Sequence, residues 1–287
     1  MWITLAFGSA LFAGLTSILA KSGIKKTDST VATAIRTIVV LGFAWLMVFI
    51  VGSQSTLSNV SGYTLLFLIL SGFATGASWL CYFKALTLED VNKVVPIDKS
   101  STVLTIILAF LLLGEKLTTA RFAGIILIAI GTYMMIQKKA GIEQKKDGKA
   151  WLIYALLSAL FASLTAILGK VGITGIESNL GTAIRTIVVF FMAWIMVWVT
   201  GKKNEIIRID KKELLFICLS GFATGGSWLC YYKALQDGPA SVVVPIDKMS
   251  ILVTVVFAYL VFKEKLTKKS FLGLILLTTG TLVMLIP

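Results

Sequence analysis

Histidine is absent from the 287 residues of the sequence, and only three cysteines occur. Without histidine there is neither a histidine metal site nor a histidine proton relay. Cys81, Cys218 and Cys230 lie inside apolar segments, where small packing side chains are a better interpretation than a disulfide or a metal-ligand set. No nucleophile–base pair can be read from the sequence, so neither an enzyme activity nor a cofactor is predicted.

Charged residues are also scarce. They make up 14% of the chain, against 57% hydrophobic residues, and the mean hydropathy is +0.91. A soluble domain of this length cannot bury so much apolar surface, because it also needs a polar exterior. A protein in a lipid bilayer can, since its outer surface faces hydrocarbon. The composition therefore predicts an integral membrane protein surrounded by lipid.

Apolar runs of about 20 residues recur along the chain, and each is long enough to cross the hydrocarbon core as a helix. Ten are predicted, at 2–21, 31–51, 64–86, 91–113, 119–137, 151–170, 180–200, 214–235, 240–262 and 270–286. The alternation typical of barrel strands is not seen, so the predicted fold class is an all-α polytopic membrane protein with ten transmembrane helices. The first run has no basic start and has an equivalent at 151–169, so a retained helix is expected rather than a signal peptide.

The chain contains an internal repeat. A shift of 149 positions aligns residues 2–138 with 151–287 without a gap, and about half of the paired positions are identical. The predicted domains are a first repeat at 1–138, a basic linker at 139–150 and a second repeat at 151–287. Each repeat holds five spans, and because five is odd, the second copy enters the membrane from the opposite side. The repeats are therefore expected to be inverted, an arrangement typical of secondary transporters.

The net charge of +13 concentrates in the connections between spans. Seventeen Lys and Arg fall in connections on one predicted side, which includes the linker, whereas only Lys116 and Arg121 fall in connections on the other. Positive residues tend to stay in the cytoplasm. We therefore expect a plasma or inner membrane location, with the linker inside and both termini outside. No nucleic-acid-binding motif accompanies the charge, so no nucleic-acid partner is predicted.

The hexapeptide VVPIDK occurs at 94–99 and again at 243–248, each time at the head of an apolar run. A carboxylate on so short a side chain cannot reach far toward the headgroups, so Asp98 and Asp247 must pair with a cation or become protonated. Polar residues three or four positions apart continue a stripe from each aspartate: Ser101, Thr102 and Thr105 in the first copy, Ser250 and Thr254 in the second. Such a stripe is expected to face water in a cavity.

Further cations lie near the ends of the predicted spans: Lys21, Arg36, Lys84 and Lys99, with the equivalents Lys170, Arg185, Lys233 and Lys248. Inversion is expected to place one charged set near each membrane surface. Three roles are open for Asp98 and Asp247: gate ion pairs with Arg36 and Arg185, proton-coupling groups, or pairs that only fix the helix register. In the second role, protons are the coupling ion.

The third span of each repeat combines glycines with aromatic residues. Gly72-x-x-x-Gly76 and its copy at 221–225 are typical of close helix packing. The Trp and Tyr side chains beside the polar arc of this span would stack a ring or hold an ammonium group as cavity walls, and packing between spans is an equally good interpretation. The predicted cavity lining comprises Trp79, Tyr82, Trp228, Tyr231, Ser78, Ser227, Ser101, Thr105, Ser250 and Thr254.

A combination of motifs in each repeat points to a family. Lys21 ends the first span, Arg36 follows near the start of the second, an Ala-Leu pair ends the third at 85–86, and GEKLT closes the fourth at 114–118. The second copy matches at Lys170, Arg185, 234–235 and 264–267. Over its whole length the chain thus resembles the EamA domain of the drug/metabolite transporter superfamily. The resemblance implies ten helices, two inverted repeats, a central substrate cavity and alternating access. The family's ten-helix members usually have both termini in the cytoplasm, whereas the charge count places them outside.

Each charged set holds four cations and one acid, an excess that an anionic or zwitterionic solute would offset. The predicted function is a secondary active transporter, an exporter or exchanger of a small-molecule substrate such as an amino-acid-like or carboxylate metabolite, working as a monomer or homodimer. Two alternatives are open: transport of an organic cation held by the Trp and Tyr walls, and a channel or lipid-moving protein. Glu115 and Glu264 are expected to cap or pair locally, without a role in transport.

Overall fold

The computed structural model describes residues 1–23, 26–89, 91–135, 150–263 and 266–286. All regular structure in those ranges is helical, which confirms the predicted all-α class. In chain order the α-helices are α1 (Trp2–Gly23), α2 (Ser29–Val51), α3 (Gly62–Leu88), α4 (Val91–Lys99), α5 (Ser101–Leu113), α6 (Thr119–Met135), α7 (Ala150–Ile173), α8 (Ser178–Val199), α9 (Lys211–Asp237), α10 (Ala240–Lys248), α11 (Ser250–Phe262) and α12 (Lys268–Val283). Short 3-10 helices, Ser53–Asn59 and Lys202–Arg208, follow α2 and α8. Most of the predicted linker, 139–149, and Glu264 lie outside the described residues.

Long apolar helices dominate the described ranges. Seven segments there are long and apolar enough to cross a membrane: Trp2–Lys21, Ser29–Val51, Gly62–Leu88, Ala150–Ile173, Ser178–Val199, Lys211–Asp237 and Ala240–Leu260. α6 is a shorter apolar helix of 17 residues. Because a helix satisfies its own backbone hydrogen bonds, such segments are stable in hydrocarbon. The protein is a multi-pass membrane protein.

Two of the predicted spans are divided. α4 and α5 occupy 91–113, and α10 and α11 occupy 240–262, where the sequence predicts one continuous helix each. Pro245 lies inside α10 and cannot donate a backbone hydrogen bond to the carbonyl one turn earlier. One turn further on, the amide of Met249 bonds to the carbonyl of Ile246 at 2.9 Å, only three residues back. In the first half the amide of Ser100 makes the same contact with the carbonyl of Ile97 at 3.1 Å. A tightened turn therefore ends the helix directly after each VVPIDK segment.

The two halves of the chain interleave. α1 of the first half packs along α9 of the second, and α7 of the second packs along α3 of the first. α2 packs against α8, and α6 packs against α12. Each half therefore completes its packing with helices of the other, and the space between the halves lies at the centre of the bundle.

Glycine sets the distance at several of these crossings. α6 and α12 approach so closely that a Cβ atom on Gly131 would lie 2.6 Å from the carbonyl oxygen of Gly273. In α3, a Cβ atom on Gly76 would lie 2.5 Å from the Met192 side chain of α8. Side chains larger than hydrogen do not fit at such separations. The G-x-x-x-G motif of α3 therefore serves helix packing.

The connection before α2 makes an ion pair and hydrogen bonds with residues of the second half. Asp28 caps α2 by accepting a hydrogen bond from the amide of Thr30 at 2.8 Å, and its other oxygen pairs with Lys202. Burial raises the pKa of the Asp28 carboxyl, but the hydrogen bonds from Lys202 and Thr30 outweigh burial, and the pKa lies below its ordinary value. The Glu213 carboxylate accepts a hydrogen bond from the amide of Thr27 at 2.9 Å. The connections before α2 and before α9 therefore lie on the same side of the bundle.

Candidate functional site

A cavity of about 290 Å³ lies among helices of both halves. Three charged side chains line it: Arg185, Asp247 and Lys248. Hydroxyl groups, aromatic rings and small residues complete the lining: Ala13, Thr75, Ser78, Trp79, Ser101, Thr102, Thr105, Ala162, Thr165, Ala166, Ser227, Trp228, Tyr231, Tyr232 and Val244. A concave site with few charges and several aromatic walls is the usual form of a small-molecule site.

The helices α5 and α10 run side by side in opposite directions, and the second VVPIDK segment lines the cavity through Val244, Asp247 and Lys248. At one end, the carboxylate of Glu115, just beyond α5, accepts hydrogen bonds from the amides of Ala240 at 2.6 Å and Ser241 at 3.0 Å. At the other end, Ser101 at the start of α5 and Lys248 at the end of α10 line the same space. The break that follows each VVPIDK segment is therefore at the centre of the bundle.

This convergence corrects the expectation that the two Asp-Lys pairs lie near opposite membrane surfaces. Lys99 and Lys248 are close enough for their ammonium groups to interact electrostatically. Each ends a helix of nine residues, and nine residues rise about 13 Å at 1.5 Å per residue. Ammonium groups near opposite surfaces of a hydrocarbon layer of roughly 30 Å would be too far apart for this interaction. The two Asp-Lys pairs therefore lie near each other.

Each aspartate is held by a serine from the first helix of the other half. Ser158 in α7 donates to Oδ1 of Asp98 at 2.8 Å, and Ser9 in α1 donates to Oδ1 of Asp247 at 2.6 Å. Both serines are fully buried. Oδ2 of Asp247 lies 3.8 Å from Nζ of its neighbour Lys248. The same serine–aspartate contact thus occurs twice, once in each direction between the halves.

Arg185 in α8 is buried, with 2% of its surface exposed. Its Nε donates to Oγ of Ser71 at 2.9 Å, and its Nη2 donates to Oγ1 of Thr75. The guanidinium carbon lies 5.3 Å from the ring centre of Trp228 and 4.8 Å from that of Tyr232, within the range of cation–π attraction. Nη1 has no hydrogen-bond partner among the described residues. One edge of a buried cation at the cavity is therefore unsatisfied.

Arg36 in α2 is the counterpart of Arg185 in the repeat. Its Nε donates to Oγ of Ser220 at 2.9 Å, which reproduces the first contact of Arg185. The side chain is partly exposed and does not line the cavity. Phe83 stands where the second half has Tyr232. The two arginines therefore occupy related positions with different surroundings.

The predicted gate pairs between arginine and aspartate are not formed in this conformation. Among the described residues, neither Arg36 nor Arg185 has a carboxylate oxygen within 4.0 Å, and Asp247 has Lys248 as its ion-pair partner. The gate hypothesis stays a prediction for a different conformation of the protein.

Most of the predicted lining residues meet at the cavity. Seven of the ten line it: Ser78, Trp79, Ser101, Thr105, Ser227, Trp228 and Tyr231. Tyr82 instead packs in an apolar cluster with Val94. Thr254 donates to the carbonyl of Ser250 within α11 at 3.1 Å, and that carbonyl faces Gly14 of α1. The polar stripe of α5 thus reaches the cavity, whereas its copy on α11 packs against α1.

Several site residues are not apparent from the polar stripes. Ser9 and Ser158 bind the aspartates, and Thr165 and Tyr232 line the cavity. A usable signal is present for three of them, because Ser9 equals Ser158 in the repeat and Thr165 equals Thr16. Polar residues that are unchanged between two repeats inside apolar runs are good candidates for such contacts.

Lys170 and Glu115 hold the junction between α9 and α10. Nζ of Lys170 donates to the carbonyl oxygens of Leu235 and, at 2.7 Å, Gly238, which end α9. Glu115 binds the amides that begin α10, so it caps a helix of the other half, where the sequence predicts a local contact. Lys21, the counterpart of Lys170, lies at the exposed end of α1.

A multi-pass helical bundle with a charged cavity between interleaved halves is the architecture of a membrane transport protein. The chain belongs to the EamA-like transporter family, whose model matches residues 1–137 and 149–286. The family that the sequence motifs indicate is thereby confirmed.

Similar proteins include an "Uncharacterized transporter in cobO 3'region" of Sinorhizobium sp., 41% identical over 136 residues, which are 47% of this chain and 96% of that protein. The "S-adenosylmethionine uptake transporter" of Rickettsia prowazekii is 23% identical over 203 residues, 69% of this chain and 64% of that protein. A solved crystal structure shares the fold with a TM-score of 0.78 and 15% identity, over 99% of this chain and 96% of its own. These relatives are transporters by name, and the solved structure shows the fold alone.

Proposed function

We propose that the protein is a secondary active transporter, an exporter or exchanger that moves a small polar metabolite by alternating access. The observation that carries the proposal is the cavity of about 290 Å³, which both halves line and into which Arg185, Asp247 and Lys248 face. Intramembrane charges of this kind are expensive and mark solute or ion pathways. The family of the chain supports the same conclusion.

Two inverted five-span repeats are the architecture we propose for this mechanism. The contacts between connections support it, because they sort the connections into two groups. Asp28 pairs with Lys202 in one group, while Glu115 binds Ala240 in the other. With five spans in each repeat, the connection after the first span of one repeat lies on the same side as the connection after the second span of the other, which is the grouping seen. The Sinorhizobium relative, of which 96% is matched by 136 residues of this chain, has about the length of one repeat.

The two halves differ in burial, which supports alternation between two states. Arg185 is 2% exposed, and the α10 residues from Val242 to Ile246 are buried, whereas Arg36 is partly exposed. Inverted repeats can exchange such conformations, so that one half adopts the arrangement of the other. We propose that this conformation is closed on the side of the α9–α10 junction.

An amino-acid-like or carboxylate solute fits the charges of the cavity. Its charged lining consists of two cations and one carboxylate, an excess of one positive charge. Trp228, one of the walls in the alternative of an organic cation, and the neighbouring Tyr232 ring already attract the Arg185 guanidinium, which disfavours a second cation at that part of the cavity. The named substrate of the Rickettsia relative, S-adenosylmethionine, is an amino-acid derivative that also carries a sulfonium cation, so it does not separate the two alternatives.

Counterflow in proteoliposomes tests the carrier proposal. Vesicles that contain the purified protein and a high internal concentration of unlabelled amino acids or short carboxylates are expected to take up labelled solute faster than unloaded vesicles. Uptake should saturate, because each cycle binds solute in one cavity. A non-saturating conductance without acceleration by internal solute would instead support a channel.

We also propose that the linker at 139–150 is cytoplasmic, as the excess of positive charge on its side indicates. A single cysteine placed in the linker of a cysteine-free variant should be protected from a membrane-impermeant thiol reagent in whole cells. The same cysteine should react after the cells are opened. Labelling in intact cells would reverse the orientation.

A further inference from the structure

We propose that Nη1 of Arg185 binds a carboxylate of the transported solute. This inference rests on the proposed transport function and adds the binding group and the chemical class of the substrate. It starts from a buried cation: the Arg185 side chain is 2% exposed, and no carboxylate of the described residues lies within 4.0 Å of it. A buried charge without an opposite charge is unfavourable, which leaves a place for an anion from outside the chain.

The contacts of the guanidinium leave one edge for this anion. Nε and Nη2 are held by the hydroxyl groups of Ser71 and Thr75, and those hydroxyls in turn bond within the protein. The rings of Trp228 and Tyr232 lie against the group. Of the three guanidinium nitrogens, only Nη1 has no hydrogen-bond partner among the described residues, and it is buried. Since Nε and Nη2 are fixed, Nη1 is already oriented, and a carboxylate binds it once the side chains that bury it in this conformation move aside.

The ion pair of Asp247 and Lys248 also lines the cavity, but it does not occupy Nη1 of Arg185. Asp247 accepts a hydrogen bond from Ser9 at 2.6 Å and has Lys248 at 3.8 Å. With Arg185, the lining therefore holds two cations against one carboxylate. A solute that adds a single carboxylate makes the site neutral, whereas an amine or a quaternary ammonium increases the excess. Charge balance thus favours a monocarboxylate most; a zwitterionic amino acid leaves the excess unchanged, and a cation increases it.

The size of the cavity limits the solute. Its volume of about 290 Å³ equals that of roughly ten water molecules at 30 Å³ each. An amino acid or a short-chain acid is small enough for this volume, and Tyr231 and Trp79 are among the side chains available to contact the remainder of the solute. The chemical group that these solutes share is the carboxylate. The ligand comparison described next distinguishes amino acids from other acids.

Matched ligands test the inference on the wild-type protein. Thermal unfolding of the purified full chain in detergent is followed with millimolar L-leucine, isocaproate (its deaminated acid), L-leucine methyl ester, isoamylamine and inorganic phosphate, and then with the same set built on other amino acids. Ligands that bind the folded state raise the unfolding temperature. We expect stabilisation by at least one acid and binding about 10- to 100-fold weaker for its ester and amine, because a charge-assisted hydrogen bond is lost.

Arg185→Lys provides the second arm, since lysine keeps the charge and loses the planar fork. The variant is expected to lose the preference for acid over ester, whereas Arg121→Lys, at an arginine that does not line the cavity, keeps it. If Arg185→Lys does not fold, the wild-type comparison decides alone. Equal stabilisation by acid and ester, or no stabilisation by any carboxylate, overturns the inference. Counterflow of amines or esters but not acids would overturn it and leave the carrier proposal intact, while absence of all counterflow with intact acid binding would overturn the carrier proposal only.

Discussion

Replacement of Asp247 by Asn is expected to abolish solute accumulation driven by a pH gradient while solute exchange through the same cavity continues. The carboxylate lines the cavity, its side chain is 17% exposed, and Ser9 and Lys248 hold its two oxygens. Asparagine has nearly the same shape, and its amide oxygen can still accept the hydrogen bond from Ser9. It cannot take up and release a proton, so under the hypothesis that Asp247 is a proton-coupling group the coupling step is removed.

The measurement compares two assays on the same proteoliposomes. Accumulation against a concentration gradient, with an imposed pH gradient, should fall to the level without a gradient. Counterflow without a pH gradient should stay within about threefold of the wild type, which corresponds to a free-energy change of under about 1 kcal/mol. Asp210→Asn is a matched control, because Asp210 caps α9 outside the cavity and asparagine caps a helix equally well.

Asp98→Asn is expected to have the same phenotype, although Asp98 does not line the cavity in this conformation. Its hydrogen bond from Ser158 repeats that of Asp247 from Ser9, so exchange of conformations between the halves would bring it to the cavity in turn. Gradient-driven accumulation by both variants would refute a coupling role. Loss of exchange together with accumulation would favour the gate hypothesis instead.

The all-helical membrane class could be predicted from the sequence because the bilayer restricts the choices. Apolar runs of about 20 residues must form helices in hydrocarbon, and the repeat at a shift of 149 positions predicts that both halves share one architecture. The prolines at 96 and 245 indicate an interruption of each VVPIDK helix, but not that the helix stops directly after the segment. The start of α10 also depends on Glu115, which is 125 residues away in sequence. A local pattern contains no information about that contact.

The sequence predicts which face of a single helix is polar, but not how the helices of the candidate site meet. The spacing of Ser101 and Thr105 correctly identifies the face of α5 that meets the cavity, since residues three or four apart share a face. The pattern does not say which helix that face meets. The partners of the aspartates, Ser9 and Ser158, come from the opposite half, and the copy of the stripe on α11 packs against α1 although its sequence is similar. The sequences of the two stripes do not indicate which one lines the cavity and which one packs against another helix.

Glu115→Gln is expected to open the α9–α10 junction more often. The carboxylate of Glu115 accepts hydrogen bonds from the amides of Ala240 and Ser241 and from the Ser241 hydroxyl, where the positive end of α10 favours negative charge. An amide keeps one acceptor oxygen and turns a donor toward the same backbone groups. Loss of charged hydrogen bonds costs about 1.5–3 kcal/mol each. One such loss shifts the balance between closed and open junctions by about 10- to 100-fold.

A buried cysteine reports this opening. Val243 in α10 has 0% exposure, so a thiol at Val243→Cys, in a variant without Cys81, Cys218 and Cys230, reacts only when the junction opens. The reaction rate with a small thiol reagent should rise with the open population, about 10- to 100-fold in Glu115→Gln. Lys116→Gln, which changes a charge in the same connection without touching the junction contacts described above, should leave the rate unchanged.

The opposite side of the junction gives the decisive comparison. The Lys170 ammonium binds the carbonyl oxygens that end α9 and interacts electrostatically with Glu115, so Lys170→Met should raise the rate as well. If both side chains hold one closed state, the double variant should react little faster than the faster single variant, because either loss already releases the junction. Independent, additive effects would mean that each residue only stabilises its own helix end. An unchanged rate in Glu115→Gln would show that the closed side is maintained by helix packing and that the GEKLT motif contributes nothing to closure.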